Sequence, residues 1–183
     1  MVCGESEQVS KMYQDKSYQT MKGNAGEKIY RAIREGDGFT LTHMYKDFPR
    51  GEGVRDVDFL CQNDSRNFFG EVKAHDLKTF HGEQVFFLAK KEFARSAKFA
   101  RQQKRELEFA FVDSVTDKVY IASAKRLKQV FERRFLNFPM DTKTPYGACW
   151  VFHIGQFTEV RDIPAHLISA LHDAQIPRWD YDT

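Results

Sequence analysis

The segment that most constrains this chain is residues 54–74, VRDVDFLCQNDSRNFFGEVKA, in which two apolar stretches flank a polar one. Val54–Cys61 and Phe68–Ala74 have the β-branched and aromatic content of strands. The Asn, Asp and Ser residues of Gln62–Asn67 are typical of a turn. Two strands joined by so short a turn pair antiparallel. The sequence therefore predicts a β-hairpin and, with it, a sheet.

Four ionisable side chains lie on these two strands. Because side chains alternate between the faces of a strand, Asp56 and Asp58 share one face of the first strand. For the same reason Glu71 and Lys73 share one face of the second. Pairing the strands brings Asp58, Glu71 and Lys73 together at the end of one sheet face. Carboxylates and an amine in half-apolar strands are costly to bury unless they are paired or bind a metal ion.

Hydrolysis of a phosphodiester bond uses this set of groups. Mg²⁺ prefers oxygen ligands, commonly one or two carboxylates together with water and a phosphate oxygen. A bound metal ion lowers the pKa of its water and stabilises charge that develops on the phosphate oxygens. A neighbouring lysine can orient the attacking water, or act as its base if the pKa of the lysine is depressed.

The arrangement resembles the PD-(D/E)xK nuclease superfamily, in particular its Mrr-like and Holliday-junction-resolvase-like branch. The pattern of that superfamily is an Asp on a strand and, about a hairpin later, Glu or Asp, any residue, and Lys. Here Asp58 and Glu71–Lys73 match it, with Val57 in place of the Pro that often precedes the Asp. Glu27 matches the first-helix Glu of many members. The resemblance covers residues 22–123.

The resemblance implies a restriction-endonuclease-like α/β (α+β) fold, with a central mixed sheet flanked by helices. It also implies an endonuclease that hydrolyses DNA with Mg²⁺ or Mn²⁺. Asp58 and Glu71 would then hold the metal ion, Lys73 would assist the attacking water, and Glu27 would be a further metal ligand that positions metal-bound water. Asp56 stays open as the primary or a second ligand. Enzymes that cut both strands commonly dimerise, so a homodimer is expected.

The rest of the pattern predicts one nuclease-like domain at 21–183, after a flexible leader at 1–20. The core of this domain is expected at 22–123 and a C-terminal extension at 124–183. Residues 76–83 and 137–146 are predicted as loops. Helices are predicted at Asn24–Glu35, Ala89–Arg105, Ser123–Phe135 and Pro164–Ala174, and further strands at Phe39–Tyr45, Leu107–Val112, Val119–Ala122 and Ala148–Ile154.

The net charge of +2 does not by itself indicate a nucleic-acid partner, but the positive charges are clustered. Residues 90–106 carry a large excess of Lys and Arg over Glu, and a second basic cluster runs from Lys125 to Arg134. The first cluster can contact the phosphate backbone of DNA from one side of a helix. The alternative to DNA contact is that this basic cluster is an ordinary helix face exposed to solvent. The candidate contacts are Lys98, Arg101, Lys104 and Arg105, and Gln102 resembles a Gln that some superfamily members carry near the metal-bound water.

Other classes of protein are disfavoured by what the sequence lacks. No segment approaches the roughly 18 apolar residues of a membrane span, and the N-terminus has no apolar signal-peptide core, so a cytoplasmic protein is expected. Cys3, Cys61 and Cys149 lie far apart without a CxxC pair, which disfavours structural zinc. His43 is considered as a metal ligand, and His153 is expected in the core.

Three alternatives to a general DNA endonuclease stay open. A Holliday-junction resolvase would use the same chemistry in two sites held apart by a dimer. A non-catalytic nucleic-acid-binding module would keep the fold without the reaction. An interaction protein would use the basic helix only as a solvated surface.

Overall fold

The computed structural model describes residues 4–49, 53–145 and 147–174, with side chains from residue 19 onward. The described helices are α1 (Gly4–Gly36), α2 (Lys90–Gln102), α3 (Ala124–Leu127) and α4 (Ala165–Asp173), with a 3-10 turn at Ile154–Gln156. The described strands are β1 (Thr40–His43), β2 (Phe59–Gln62), β3 (Asn67–Lys73), β4 (Lys78–Phe80), β5 (Glu83–Ala89), β6 (Glu106–Asp113), β7 (Lys118–Ser123), β8 (Phe131–Arg133), β9 (Leu136–Phe138), β10 (Met140–Thr144), β11 (Gly147–His153) and β12 (Glu159–Asp162).

The central sheet has six strands in the order β1-β2-β3-β6-β7-β12. Its β3 and β6 run parallel, and its other neighbouring pairs run antiparallel. A second sheet has the order β10-β11-β5-β4, and β8 pairs with β9 alone. The predicted α+β class with a central mixed sheet flanked by helices is confirmed. Within the described ranges, no helix combines the length and apolar character needed to cross a bilayer.

The predicted hairpin is β2–β3, and its turn is stabilised by a side chain. Asn63 Oδ1 accepts hydrogen bonds from the backbone N–H groups of Ser65 and Arg66, at 3.0 and 2.8 Å, as Asn does in turns. The first strand begins at Phe59 and not at Val54. Pairing nevertheless continues one residue upstream, because the Asp58 N–H donates to the Gly70 carbonyl at 3.1 Å.

Apolar side chains cover both faces of the central sheet. On one face, helices α1 and α4 bury a cluster that includes Ile29, Tyr30 and Leu171. On the other, α2 and the second sheet bury a cluster rich in Phe, in which the Phe93 and Phe109 rings stack with centroids 4.9 Å apart. The molecule therefore has three layers with the central sheet in the middle, so its inner strands have no free face.

Several predicted element boundaries are wrong. Helix α1 begins at Gly4 and not at Asn24, so residues 4–20, expected as a leader, continue the helix; they contain no proline to stop it. Helix α2 ends at Gln102, and Lys104 takes a left-handed φ of 52° just beyond it. The helix after Ser123 ends at Leu127.

The loops predicted at 76–83 and 137–146 contain strands β4, β9 and β10, and β12 follows the 3-10 turn where no strand was predicted. These strands are short and largely polar, with three to five residues each. Their intrinsic preference for strand is weak, and pairing decides their conformation. Strands β4, β9 and β10 pair with a strand adjacent in the chain, whereas β12 pairs with the more distant β7.

A close contact joins α1 to β3. A Cβ atom on Gly70 would lie 2.5 Å from the Tyr30 hydroxyl oxygen. That hydroxyl donates to Glu108 on β6 at 2.8 Å, and Arg34 donates to the same carboxylate at 2.7 Å. Because Gly70 has no side chain, Tyr30 of α1 can pack directly against the backbone of β3.

We expect Gly70→Ala to lower the free energy of unfolding by roughly 1–3 kcal/mol, because the added methyl overpacks against Tyr30. Urea denaturation measures the change. The matched control is Gly36→Ala at the end of α1, where an added Cβ meets nothing within 4 Å. Equal stability of the Gly70 variant and the wild type would contradict the contact.

Candidate active site

Asp58, Glu71 and Lys73 lie side by side at the C-terminal end of β3. Asp58 immediately precedes β2, and its Oδ2 accepts the Val72 N–H at 2.7 Å across the hairpin. On β3, Lys73 Nζ lies 2.9 Å from Glu71 Oε1. The hairpin therefore brings together the three residues that strand alternation placed on one face.

The Glu71 carboxylate is removed from water because β3 is covered on both faces, and Asp58 beside it is half-buried. The Glu71 side chain is 3% exposed. Burial raises the pKa of Glu71 to about 7, and the neighbouring Asp58 charge adds to the rise while Lys73 opposes it. Burial also raises the pKa of Asp58, against the opposing effects of the Val72 N–H and Lys73. Two adjacent carboxylates thus share a site with too little positive charge.

Lys73 is a cation in this environment. Burial alone would lower the pKa of Lys73, yet the Glu71 and Glu92 carboxylates raise it above its usual value. Glu92 Oε2 lies 3.5 Å from Lys73 Nζ. The interpretation of Lys73 as a base with a depressed pKa is therefore wrong, and an orienting or charge-stabilising role remains.

Helix α2 contributes two residues that the sequence reasoning missed, Glu92 and Arg95. Arg95 Nε lies 3.7 Å from Asp56 Oδ1, and the positive charge of Arg95 lowers the pKa of Glu71. The two residues are three positions apart, so they share a helix face. An acidic residue in the first turn of a basic helix was the signal that could have found this face.

Asp56 and Asp58 occupy different surroundings. Asp56 is 40% exposed and faces Arg95, whereas Asp58 lies next to Glu71 and bonds to Val72. Strand alternation could not separate the two, because the chain before Phe59 is not in a regular strand. Of the two aspartates, Asp58 is the one at the buried centre.

Glu27 reaches toward the centre from α1, but its own hydrogen bonds go elsewhere. Glu27 Oε2 lies 3.0 Å from His43 Nε2 and is also paired with Lys46 Nζ. His43 Nδ1 accepts the N–H groups of Tyr45 and Lys46, at 3.2 and 3.0 Å, so the His43 ring proton lies on Nε2 and points at Glu27. Both ring nitrogens of His43 are therefore engaged, which leaves neither for a metal ion.

The negative charge of Glu27 nevertheless acts on Asp58, where it contributes to the raised pKa. Within the described part of the chain, no three His, Cys, Asp or Glu side chains converge as a metal-binding group. Glu27 is thus a neighbour of the carboxylate pair and does not complete a three-ligand cluster with it.

The remaining predicted contacts lie farther away. Gln102 is at the last position of α2, about 15 Å along the helix axis from Glu92, so the structure does not bring it to this centre. Lys98, Arg101 and Lys104 are exposed, and Arg105 lies over the Phe69 ring at 5.4 Å. Because α2 ends at Gln102, the four basic residues do not form one continuous helix face as predicted.

A cleft of about 920 Å³ opens beside the centre, between α1, the end of β3, and strands β5 and β11. Lys73 and Glu92 line it, together with Lys22 and His75. His75 Nδ1 donates to the Phe87 carbonyl at 2.9 Å, which leaves Nε2 as an acceptor. Burial lowers the pKa of His75, so the ring stays uncharged. The cleft gives the buried centre an approach from solvent.

The donor set fits a hard divalent cation. Among the described residues, hydrogen bonds and ion pairs occupy only Oδ2 of Asp58 and Oε1 of Glu71, so each carboxylate keeps one oxygen for another partner. Two carboxylates suffice for Mg²⁺, which completes its shell with water and substrate oxygens. A cation there would also relieve the repulsion that raises the pKa of Glu71.

No protein-family model matches the sequence, and neither does any curated protein. Several solved structures resemble this one, including the two that follow. Archaeoglobus fulgidus Hjc, a Holliday junction resolvase from an archaeal hyperthermophile, is 16% identical with a TM-score of 0.49, over 81% of this chain and 96% of that chain. A nuclease from a fusselovirus is 10% identical with a TM-score of 0.43, over 81% and 87%.

The first of these structures is that of a resolvase and the second that of a nuclease. Because their identities are below 25% and their TM-scores below 0.5, these matches support no inference about the activity of this chain.

We expect the stability of the wild type to fall with rising pH in a way that Glu71→Gln removes. The folded state holds the Glu71 proton more tightly than the unfolded chain, whose pKa is near 4.5. The resulting stabilisation is fully present below pH 4.5 and is lost as pH rises through about 7, on the order of 3 kcal/mol in all. Urea denaturation across this range, in EDTA, measures it.

The control for this titration is Glu106→Gln, since the Glu106 side chain is 74% exposed on the same sheet. That variant should keep the wild-type pH profile. An unchanged pH profile in Glu71→Gln would show that Glu71 ionises normally.

Proposed function

We propose that this protein is a metal-dependent nuclease that hydrolyses phosphodiester bonds in DNA. The observation that carries the proposal is the group formed by Asp58, Glu71 and Lys73. It consists of a buried carboxylate, a half-buried carboxylate beside it and one ammonium, at the edge of a cleft open to solvent. Among the described residues each carboxylate keeps one oxygen free of hydrogen bonds and ion pairs, and the single ammonium does not balance the two negative charges.

Asp58 and Glu71 would hold Mg²⁺ or Mn²⁺ through those oxygens. When bound, such an ion supplies a water of lowered pKa and positive charge for the phosphate oxygens. The hydrogen bond from Val72 to Asp58 Oδ2 at 2.7 Å keeps that carboxylate facing Glu71. The pair is thus oriented before substrate arrives, which lowers the reorganisation that the reaction requires.

Lys73 would orient the attacking water and offset phosphate charge. Its Nζ lies 2.9 Å from Glu71 and 3.5 Å from Glu92, which hold the ammonium at the cleft wall. Because the pKa of Lys73 is raised, its side chain is an ammonium. An ammonium donates hydrogen bonds and does not accept a proton from water. Glu27, held by His43, would position water on the α1 side of Asp58.

DNA would reach the centre along the cleft. Lys22 and Lys78 line this cleft together with Lys73. Lysines that neutralise phosphates give affinity for DNA that does not depend on the base sequence. Lys98 and Arg101 on the exposed side of α2 would extend the contact. Cutting of both strands would involve a homodimer, which sedimentation of the protein with and without DNA measures.

We expect Lys73→Ala and Glu71→Ala to reduce cleavage of supercoiled plasmid at least 100-fold, the usual scale for removing a group that acts on a proton or a charge in the reaction. Product formation with Mg²⁺, Mn²⁺ or EDTA measures the effect. Lys118→Ala and Glu106→Ala are matched controls on exposed positions of β7 and β6, and both should cut as the wild type does.

Assays with linear duplex DNA, four-way junctions and RNA distinguish the alternatives to a general endonuclease: a resolvase, a binding module and an interaction protein. Strong preference for four-way junctions over linear duplex would identify a resolvase, whereas equal cutting would exclude one. No cutting of DNA or RNA by folded wild type, combined with a metal-independent gel shift, would replace the enzyme by a binding module. Loss of DNA binding even at low salt would leave only an interaction protein.

We expect Mn²⁺ to bind the wild type and to bind Asp58→Asn at least ten-fold more weakly, because the variant loses one anionic ligand. Electron paramagnetic resonance of free Mn²⁺ measures the affinity without any cleavage assay. Asp56→Asn is the matched control, since Asp56 faces Arg95 and not Glu71. Equal Mn²⁺ affinity of Asp58→Asn and the wild type would contradict the assignment.

A further inference from the structure

The hairpin formed by β8 and β9 presents the most exposed large apolar side chain among the described residues. Phe135 is 99% exposed. The strands pair Arg133 with Leu136, so Arg134 and Phe135 form a two-residue turn at the tip. A phenylalanine fully in water at a loop tip contributes nothing to the core of this protein.

The backbone of this tip is one that its residues disfavour. Arg134 and Phe135 have φ angles of 46° and 71°, which are the two positive values of a type I′ turn. Such turns strongly prefer Asn-Gly or Asp-Gly, because a Cβ atom is unfavourable at positive φ. Side chains retained in strained backbone are often found where a ligand is bound.

The base of the hairpin is held firmly, so the tip is presented on a rigid support. The Phe131 ring stacks on His153 with centroids 4.9 Å apart, and Phe138 is buried. Glu83 lies at the start of β5. Its Oε2 accepts a hydrogen bond from Arg133 Nε at 3.4 Å, and its Oε1 lies 3.1 Å from Arg134 Nε. The base of the hairpin thus anchors a tip whose Phe135 side chain is exposed to water.

The surroundings of the tip are positively charged. Residues 125–138 contain five Lys or Arg and one Glu. Lys125 and Lys128 are exposed, and the Arg133 and Arg134 side chains are 51% and 65% exposed although they pair with Glu83. Two guanidinium groups share the Glu83 carboxylate. The five cations of residues 125–138 are set against two carboxylates, Glu132 and Glu83, so this segment and its partner carry net positive charge.

The tip also lies at a useful distance from the cleft. Strand β5 begins at Glu83, beneath the arginines, and ends at Ala89, which lines the cleft. Its six residue steps span about 20 Å, or about six base pairs of duplex. The cleft and the base of the hairpin are therefore separated by a distance that a short nucleic acid can span.

We propose that the β8–β9 tip is a second nucleic-acid contact, in which the Phe135 ring stacks on an unpaired base while Arg133 and Arg134 contact phosphates. This inference rests on the proposed function, because it takes the ligand to be the DNA that the centre cleaves. A single aromatic ring between cations suits a base and its phosphates. One ring is too small for a stable protein interface, which buries about 800 Å² on each partner.

The test uses the full chain in EDTA and a fluorescein-labelled duplex with a single-stranded flap, with fluorescence anisotropy to measure the dissociation constant. We expect Phe135→Ala to raise this constant about ten-fold or more, because the ring loses a base-stacking contact. Phe135→Trp should restore wild-type affinity. Val115→Ala is the matched control, since Val115 is also an exposed apolar residue in a strand-connecting turn.

A second variant separates ligand binding from folding. Replacing Arg134 and Phe135 together by Asn and Gly supplies the residues that a type I′ turn prefers. This double variant should unfold at the same or a higher temperature than the wild type and still bind the flap at least ten-fold more weakly. A lower unfolding temperature would show that the two side chains are structural and would overturn the proposal.

The two proposals fail in different ways. Unchanged flap affinity in Phe135→Ala overturns the hairpin contact, even if the wild type cleaves DNA. Phe135-dependent flap binding without metal-dependent cleavage overturns the nuclease and supports the contact. Binding to anionic vesicles that depends on Phe135, with no binding to DNA, overturns the contact in favour of a membrane surface.

Discussion

Most of this molecule depends on the coverage of β3 from both sides. The strand lies inside the central sheet, where β2 pairs with it along Asn67–Gly70 and β6 along Phe68–Lys73. Helix α1 covers one face, where Gly70 lets Tyr30 approach, and the Phe-rich layer covers the other. In the second half of the strand, Glu71 and Val72 are buried, and Lys73 at its end reaches the cleft. Glu71 is therefore buried by its position in the chain and not by its own chemistry.

The electrostatics of the centre follow from that burial. A buried carboxylate such as that of Glu71 needs a counter-charge. Lys73 supplies one from two residues along the same face of β3. Asp58, fixed by the Val72 N–H, then brings a second carboxylate beside the first, and burial together with this repulsion raises the pKa of Glu71 to about 7. The Glu92 carboxylate is the second anionic partner of Lys73. A cation at this centre would offset the surplus negative charge.

The second sheet shows why part of the fold was hidden from sequence reasoning. Strands β5 and β11 are apolar and pair along their length, yet only β11 was predicted, because the residues of β5 lead directly into α2 without a turn signal. Strands β4, β9 and β10 have only three to five residues, too few for a clear alternation of apolar and polar side chains, and each pairs with the strand next to it in the chain. The hairpin tip at Arg134–Phe135 was hidden for a related reason, since neither residue is one that marks a tight turn.

The sequence by itself determined the hairpin, its turn, the mixed class of the fold and the grouping of Asp58 with Glu71 and Lys73, because alternation within two adjacent strands is a local property. Only the tertiary structure decided which charges act on that group. Asp56 faces Arg95 and lies outside the buried centre, and Glu27 is paired with His43. Glu92 on α2 contacts Lys73, and the neighbouring carboxylates raise the pKa of Lys73, so it is a cation. Those outcomes depend on distances between elements far apart in the chain, and no local pattern encodes them.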